Sequence, residues 1–558
     1  MNAILLPFER RYILLTLAAG GTAASAALVP LWIGFAAPAA AFGALTLLGL
    51  RDITQKRHSI LRNYPIAAHI RFLLEEIRPE IRQYFLEDET TGMPFARKKR
   101  SIVYQRAKGQ LDKVPFGSQL DFYRTRHEWL NHSIAAAEPS TEPFRVAVGG
   151  PDCTQPYSAS VFNISGMSFG ALSANAIKAL NKGAMLGGFA HDTGEGGVSP
   201  HHRKFGGDII WQIGSGYFGC RNEDGTFSAE RFTETAAQPE VKMIEVKVSQ
   251  GAKPGHGGVL PGPKVSPEIA ETRGVPLGVD CISPASHSAF GTPLELVNFI
   301  GELRRLSGGK PVGFKICIGH PWEFLGICKA MVETGIAPDF IVVDGSEGGT
   351  GAAPLEFADH IGMPMRDGLS FVHNALVGIN MRQHIRIAAA GKITSAFDIA
   401  RVMALGADWC NAGRGFMFAL GCVQAQACHT DRCPTGVATQ DPLRQRALVV
   451  ESKAERVASF HRATLEALSE VVASVGLDHP AKLLPQHISR RVAADRVETY
   501  EEISPPLTPN ALIAGTPDPR FATAWRLTSA ESFQPQMAPV VTVEEPVNEA
   551  ADTKANSA

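Results

Sequence analysis

The chain has 558 residues, 54 Lys and Arg against 55 Asp and Glu, a formal net charge of −1 and 45% hydrophobic residues. That size and balance describe a large globular enzyme with additions; they exclude disorder over most of the chain and leave no basic footprint for nucleic acid. Nine cysteines with no recognisable secretory signal are expected of a reducing compartment.

No charged residue occurs from Tyr12 to Leu50, 39 residues rich in Leu, Ala, Gly, Ile and Phe. A bilayer crossing takes about 20 apolar residues, so residues 1–52 are expected to form a transmembrane hairpin turning near Pro30 or Pro38. Glu9, Arg10 and Arg11 precede it and Arg51, Lys56, Arg57 and Arg62 follow it. Basic flanks on both sides place both ends, and the catalytic domain, in the cytoplasm of a multi-pass protein of the cell membrane. A hydrophobic hairpin buried in a soluble protein is the competing possibility.

Residues 53–140 are expected as a helical connector, because IAAHIRFLLEEIRPEIRQYF has helical spacing interrupted at Pro79. From Arg51 to Lys108 there are 13 Lys and Arg against 7 Asp and Glu, which suits an anionic membrane surface or simply a solvated face. Residues 141–446 then repeat an apolar run, a glycine or polar loop and an amphipathic stretch. The eight runs are 161–165, 187–192, 243–249, 277–283, 311–317, 340–345, 385–391 and 408–413. Eight strands alternating with helices predict an α/β fold, a (β/α)8 TIM barrel whose site lies where the strands end. A doubly wound sheet competes, but no G-x-G-x-x-G follows the first strand. Residues 447–514 read as a helical extension and 515–558 as a disordered tail.

The loops carry the chemistry. The loop after the second run holds Glu195 among glycines. The run 243–249 and its loop offer Lys247, Gln250 and Lys253, and Lys315 lies in GFKIC. Lys247 and Lys315 alternate with apolar residues and so point into the barrel, where a lysine is costly to bury unless it meets an anion. Converging lysines and a glutamine make a site for a dicarboxylate or oxo-acid; a structural ion pair with a barrel carboxylate is the alternative. Gly345, Gly348 and Gly349 belong to a glycine-dense loop able to lie along a cofactor. Gly391 and Lys392, with Gly413 and Arg414, form a phosphate-type seat after strands 7 and 8.

Just beyond, Cys422, Cys428 and Cys433 form a C-x5-C-x4-C run with polar residues between the last two. Three thiolates so close suit a three-iron cluster. A zinc site would offer a fourth ligand at short spacing, and buried apolar thiols remain the plainer alternative, preferred for the other six cysteines.

Together MSFGALS (167–173), DTGEGG (192–197), VKVSQGAKPGHGG (246–258), GSEGGTGAAP (345–354) and the cysteine run ending CPTGVATQ resemble the FMN-binding synthase domain of glutamate synthase, over roughly residues 150–445. The resemblance implies a barrel carrying FMN and a 3Fe-4S cluster on Cys422, Cys428 and Cys433. Electrons would enter through the cluster, reduce FMN and leave as hydride to the C2 carbon of 2-iminoglutarate, so that 2-oxoglutarate is reductively aminated. Ser168, Gln212, Lys247, Lys315, Gly391, Gly413 and Arg414 would line the FMN site, and Glu195, Gln250 and Lys253 would face the substrate.

The chain departs from that family in lacking the N-terminal glutaminase cysteine and a nicotinamide domain. Ammonia or another amine, a possible glutaminase partner, and a separate electron donor (ferredoxin or a reductase subunit) are therefore implied. Tyr217 stands where the family carries a basic residue, and His256 where the larger enzymes tend to carry an acid. The same site acting on another amine or oxo-acid, as in N-methylglutamate formation, and a non-catalytic membrane electron relay are the alternatives.

Overall fold

The computed structural model describes residues 10–516 and 518–536. It divides into two compact units, residues 1–94 and 95–558. The division falls inside the stretch expected to be a single connector.

In the first unit, helices Ile13–Leu28 and Ala36–Thr54 lie side by side, linked by a 3.0 Å hydrogen bond between the Thr22 and Thr46 hydroxyls. The spans Arg10–Leu28 and Ile33–Thr54 that contain them are long and apolar enough to cross a membrane, and Leu17 is 62% and Leu47 69% exposed. At the end of the second helix the buried Asp52 carboxylate accepts from Ile66 N at 3.0 Å and meets His69 Nε2 at 2.9 Å. The following helix Ala67–Glu76 stops before Pro79, and a new turn, Arg78–Ile81, starts around it, as a ring without an N–H requires.

The second unit is built on a closed parallel barrel. Its strands are β1 (Phe162–Ile164), β2 (His191–Asp192), β3 (Ile209–Ile213), β4 (Val241–Lys247), β5 (Val312–Ile316), β6 (Phe340–Asp344), β7 (Arg386–Ala390) and β8 (Trp409–Ala412). β8 returns to β1 through Cys410–Phe162, Asn411–Asn163 and Ala412–Ile164. The (β/α)8 architecture expected from the rhythm of the chain is thus present, with one strand exchanged.

The run 277–283 is not a barrel strand. Only Cys281–Ile282 pairs there, antiparallel to Val259–Leu260 in a separate two-stranded sheet, and Leu277, Val279 and Ile282 are 59%, 55% and 67% exposed. A barrel strand covered by helices is buried on both faces, which this run cannot satisfy. The missing strand is β3, IIWQI, buried at every position. Trp211 faces outward and stacks on Phe232 of helix Ala229–Ala236 (5.3 Å between rings), while its neighbour Gln212 faces in. Lys247 consequently belongs to the fourth strand rather than the third.

Helix Arg97–Ala107 joins the second unit. It lies against the long helix Val450–Ser474, where Ser459 Oγ donates to Arg106 O at 2.8 Å. The C-terminal segment is also more ordered than its composition suggests. Helix Ala522–Leu527 follows Phe521, which is buried and stacked on Phe371 with rings 5.2 Å apart, and Leu294 N donates to Ala530 O at 3.0 Å. Two apolar anchors hold this stretch despite its flanking prolines; the expected tail beyond residue 536 lies outside the described residues.

Candidate active site

Every strand of a parallel barrel ends at the same rim, and the chemistry-bearing residues gather there. The first group is cationic. Lys247 closes β4, and its ammonium meets Glu195, from the loop after β2, at 2.9 Å. Lys253 is buried at 4% exposure, six residues further on, and makes no ion pair among the described residues. Burial alone would push the Glu195 carboxyl up, but Lys247, Arg273 and Lys253 outweigh it and hold Glu195 below its ordinary range. Burial in turn pulls Lys253 down. Gln250 is half-buried in the same loop.

Below Lys247 sits a strut that motif spacing did not reveal. His287 Nε2 donates to Lys247 O at 2.8 Å, and its Nδ1 lies 3.1 Å from the Tyr217 hydroxyl, which also accepts from Ala289 N at 3.0 Å. Burial lowers the His287 pKa to about 4, so the ring is neutral, with Nδ1 taking the tyrosine proton. Tyr217 is fully buried, with its hydroxyl engaged by His287 and Ala289 N. His256 points its Nδ1 at the Gly257 carbonyl (2.8 Å) and its ring edge-on to Phe357.

The second group is anionic. Lys315 on β5, in register with Lys247, pairs with Asp344 at the end of β6 at 3.3 Å. Gln212 on β3 sends its Nε2 to Glu245 Oε1 of β4 at 2.6 Å and to Asp192 Oδ2 of β2 at 3.3 Å. Burial and the charge of Asp192 raise Glu245 to about 8, while burial raises Asp192 to about 6 against the pull of Lys315. Lys315 is held above its ordinary value: burial opposes this, but Asp344, Glu245 and Asp192 together prevail. Both barrel lysines therefore do have carboxylate partners, the structural alternative raised by their alternation.

The glycine loops bring the rim together. Gly251 N donates to Asp344 Oδ2 at 2.9 Å, and a Cβ at Gly251 would stand 1.7 Å from Gly345 O, so only glycine lets the loops after β4 and β6 touch. Gly348 N closes a turn onto Gly345 O, and Gly349 abuts the Arg414 guanidinium, which donates to Thr350 O at 3.1 Å. Gly391 lies against Met365 and Glu347, and Lys392 beside it adopts a positive φ of 50°. Gly413 opens toward Met167 and Ser165 in the loop after β1. Ser168 in that loop takes a 3.4 Å contact from Arg273, which also donates to Phe169 O at 3.0 Å.

The cysteine run follows the β8 loop. Cys422 and Cys433 are buried and Cys428 half-buried. Burial pushes Cys422 up to about 11, with Cys428 and Cys433 adding to the shift, so the three sulfurs feel one another. Burial acts against Cys433 as well, yet hydrogen bonds from Ala438, Thr435 and Val437 prevail and hold it below its ordinary value. Lys264, 4% exposed, donates to Cys428 O at 2.8 Å and lies 3.9 Å from Asp431. Among the described residues no three His, Cys, Asp or Glu side chains are drawn close enough to hold a metal ion.

Residues 151–478 match the family model described as a conserved region in glutamate synthase. The chain belongs to the glutamate synthase family. It is 37% identical over 482 residues to the glutamate synthase large subunit-like protein YerD of Bacillus subtilis, covering 79% of this chain and 91% of that protein. It is also 37% identical over 313 residues to the archaeal-type glutamate synthase [NADPH] of Thermotoga neapolitana, 56% of this chain and 58% of that one. The match to the ferredoxin-dependent glutamate synthase of Cyanidium caldarium is 36% over 299 residues, 51% of this chain and 19% of the relative. The family match spans the barrel and the cysteine loop, and the chain covers 19% of the length of the Cyanidium relative.

Asp192, Glu245, Arg273, His287 and Asp344 were not singled out from the sequence. Glu245 was legible, since it stands two residues before Lys247 and shares its inward parity. Arg273 and His287 lie in the long excursion between β4 and β5, where no periodicity marks them.

Proposed function

We propose that the chain is an oxidoreductase of the glutamate synthase type, which reductively aminates 2-oxoglutarate to glutamate at an FMN held in the barrel mouth. The observation that carries this is the surplus of positive charge at the rim: Lys247 and Lys253, both buried, share the single carboxylate of Glu195. A buried cation short of a counter-ion is costly, and a dicarboxylate supplies what is missing. The residues also fit FMN. Gln212 and Lys315 offer an amide and a cation on the barrel floor, the glycines at 391 and 413 with Arg414 suit a phosphate, and Glu245 Oε2 is a fully buried oxygen with no protein partner.

The chain's own part is to bind, orient and exclude water. Lys253 and Lys247 grip the substrate carboxylates and offset charge that develops at the reacting carbon. Glu195, ionised, fixes the direction of the Lys247 ammonium, and neutral His287 fixes the backbone that carries it. FMN bound here supplies the hydride, and a 3Fe-4S cluster on Cys422, Cys428 and Cys433 supplies its electrons. The N–H groups turned on Cys433 favour a thiolate, the form that ligates iron.

Electrons come from a separate ferredoxin or reductase subunit, and the amine is ammonia, free or delivered by a glutaminase partner. The two apolar helices anchor the protein as a hairpin in the cell membrane, with the barrel in the cytoplasm. Extraction that requires detergent, and solubility gained on deleting residues 1–52, test the anchor. The activity is tested anaerobically, by reducing the flavin of the purified protein chemically, adding 2-oxoglutarate with and without ammonium, and following flavin reoxidation and glutamate. Ammonium-dependent reoxidation with glutamate formed is expected; flavin that stays reduced with both substrates would overturn the synthase assignment and leave another amine, or electron relay, as the role of the site.

A further inference from the structure

Three carboxyls, Asp192, Glu245 and Asp344, face one ammonium, Lys315, inside the barrel. Asp192 and Glu245 are 1% and 0% exposed, and Gln212, which bridges them, is 3% exposed. With all three carboxyls ionised the group would carry two negative charges beyond what Lys315 neutralises, away from water, where unpaired charge is least tolerable. A single proton shared between Asp192 and Glu245 removes much of that cost.

The geometry ties both acids to one donor. One amide nitrogen of Gln212 reaches an oxygen of each acid, at 2.6 Å and 3.3 Å, across three consecutive strands. Glu245 Oε2 is left buried without a partner, the atom on which a proton can sit. Asp192 Oδ1 accepts from Gly194 N at 2.9 Å. The loop after β1 closes over the pair at Gly166, where a Cβ would stand 2.7 Å from Gln212 Nε2 and 3.0 Å from either Asp192 oxygen. Lys315 and Asp344 are the other charged groups facing Glu245.

We propose that Asp192, Gln212 and Glu245 form a proton store, which holds one proton at neutral pH and takes up a second when the pocket gains negative charge. The store rests on the flavin assignment for the source of that charge. Two-electron reduction of the flavin by an external reductant consumes one proton on the flavin and leaves it with one more negative charge; the store adds a second proton, drawn from solvent, to Asp192. Resting and reduced pockets then differ little in net charge, and Lys315 need not leave Asp344.

Two measurements test it. Infrared difference spectra of the full-length protein at neutral pH, wild type minus Glu245→Gln, are expected to show the carbonyl stretch of one protonated carboxylic acid, shifted in heavy water; an absent band would overturn the store. This arm needs no cofactor, so it still decides the store if the protein proves to bind no flavin, an outcome that would end the flavin assignment instead. The midpoint potential of the bound flavin, titrated against pH, is expected to show roughly one proton more per electron pair in wild type than in Asp192→Asn. Equal slopes would overturn the uptake of a second proton, and both variants preserve side-chain shape.

Discussion

The two halves of the barrel mouth are charged in opposite senses. On one side Lys247 and Lys253 share the carboxylate of Glu195; on the other Asp192, Glu245 and Asp344 share the ammonium of Lys315. Lys247 and Lys315 are register neighbours on adjacent strands, so the imbalance changes sign within one strand spacing. Each half is left wanting what the other has in excess. On the proposed function the first would be completed by an anionic substrate and the second by a proton, and reductive amination would consume both.

The strongest way to break this contrast is to remove the surplus cation. Lys253→Met is expected to lower kcat/KM for 2-oxoglutarate by about 10²- to 10³-fold, the usual cost of losing one preorganised charge contact, while the fold survives because Glu195 keeps its direct ion pair with Lys247. A variant with unchanged kcat/KM would remove the anion-binding role of this half. Glu195→Gln works on the opposite member. It leaves the buried Lys247 ammonium uncompensated and is expected to destabilise the protein by about 3 kcal/mol in denaturant unfolding; a midpoint equal to wild type would show that Lys247 is neutralised from elsewhere.

The proton-hungry half is probed through pH. Glu245 titrates near its ordinary 4.5 when unfolded and near 8 when folded, so between these values the native state holds the extra proton. Stability from this group is therefore full below the lower value and declines as pH rises toward 8, by at most about 1.4 kcal/mol per pH unit. Glu245→Gln is expected to flatten that decline and to be relatively more stable at pH 8 than at pH 5. An unchanged slope in urea midpoints across this range would place the proton on another group.

The smallest effect is expected from the strut. Tyr217→Phe removes a hydroxyl that bonds Ala289 N and His287, at a cost of about 1 kcal/mol or somewhat more because both partners are buried. Its activity loss should track the displacement of Lys247, seen as a raised KM for 2-oxoglutarate with a smaller change in kcat. A selective loss in kcat would instead give Tyr217 a direct role in the reaction.

Much of the architecture was legible because its signals are local. Alternation around Lys247 and Lys315 announced inward side chains, the glycine runs announced close loops, and the cysteine spacing marked one loop as distinct. Local signals failed where two segments looked alike. LGVDCIS and IIWQI are both short apolar runs, and only burial on both faces tells the barrel strand from the surface hairpin. The acids escaped notice for a related reason: Asp192, Glu245 and Asp344 come from β2, β4 and β6, and nothing in the chain says that they meet.

By itself the sequence determined which residues can line a barrel mouth, since parity along a strand is set by the backbone and needs no partner. It likewise determined the uninterrupted apolar stretch of the N-terminal helices and the grouping of the three thiols. Only the tertiary structure decided which strand closes the barrel, which lysine is paired with which acid, and where charge is left over. Those outcomes depend on contacts between residues tens to hundreds of positions apart, and on the loss of water around them, which turns a modest excess of charge into a demand for substrate or proton.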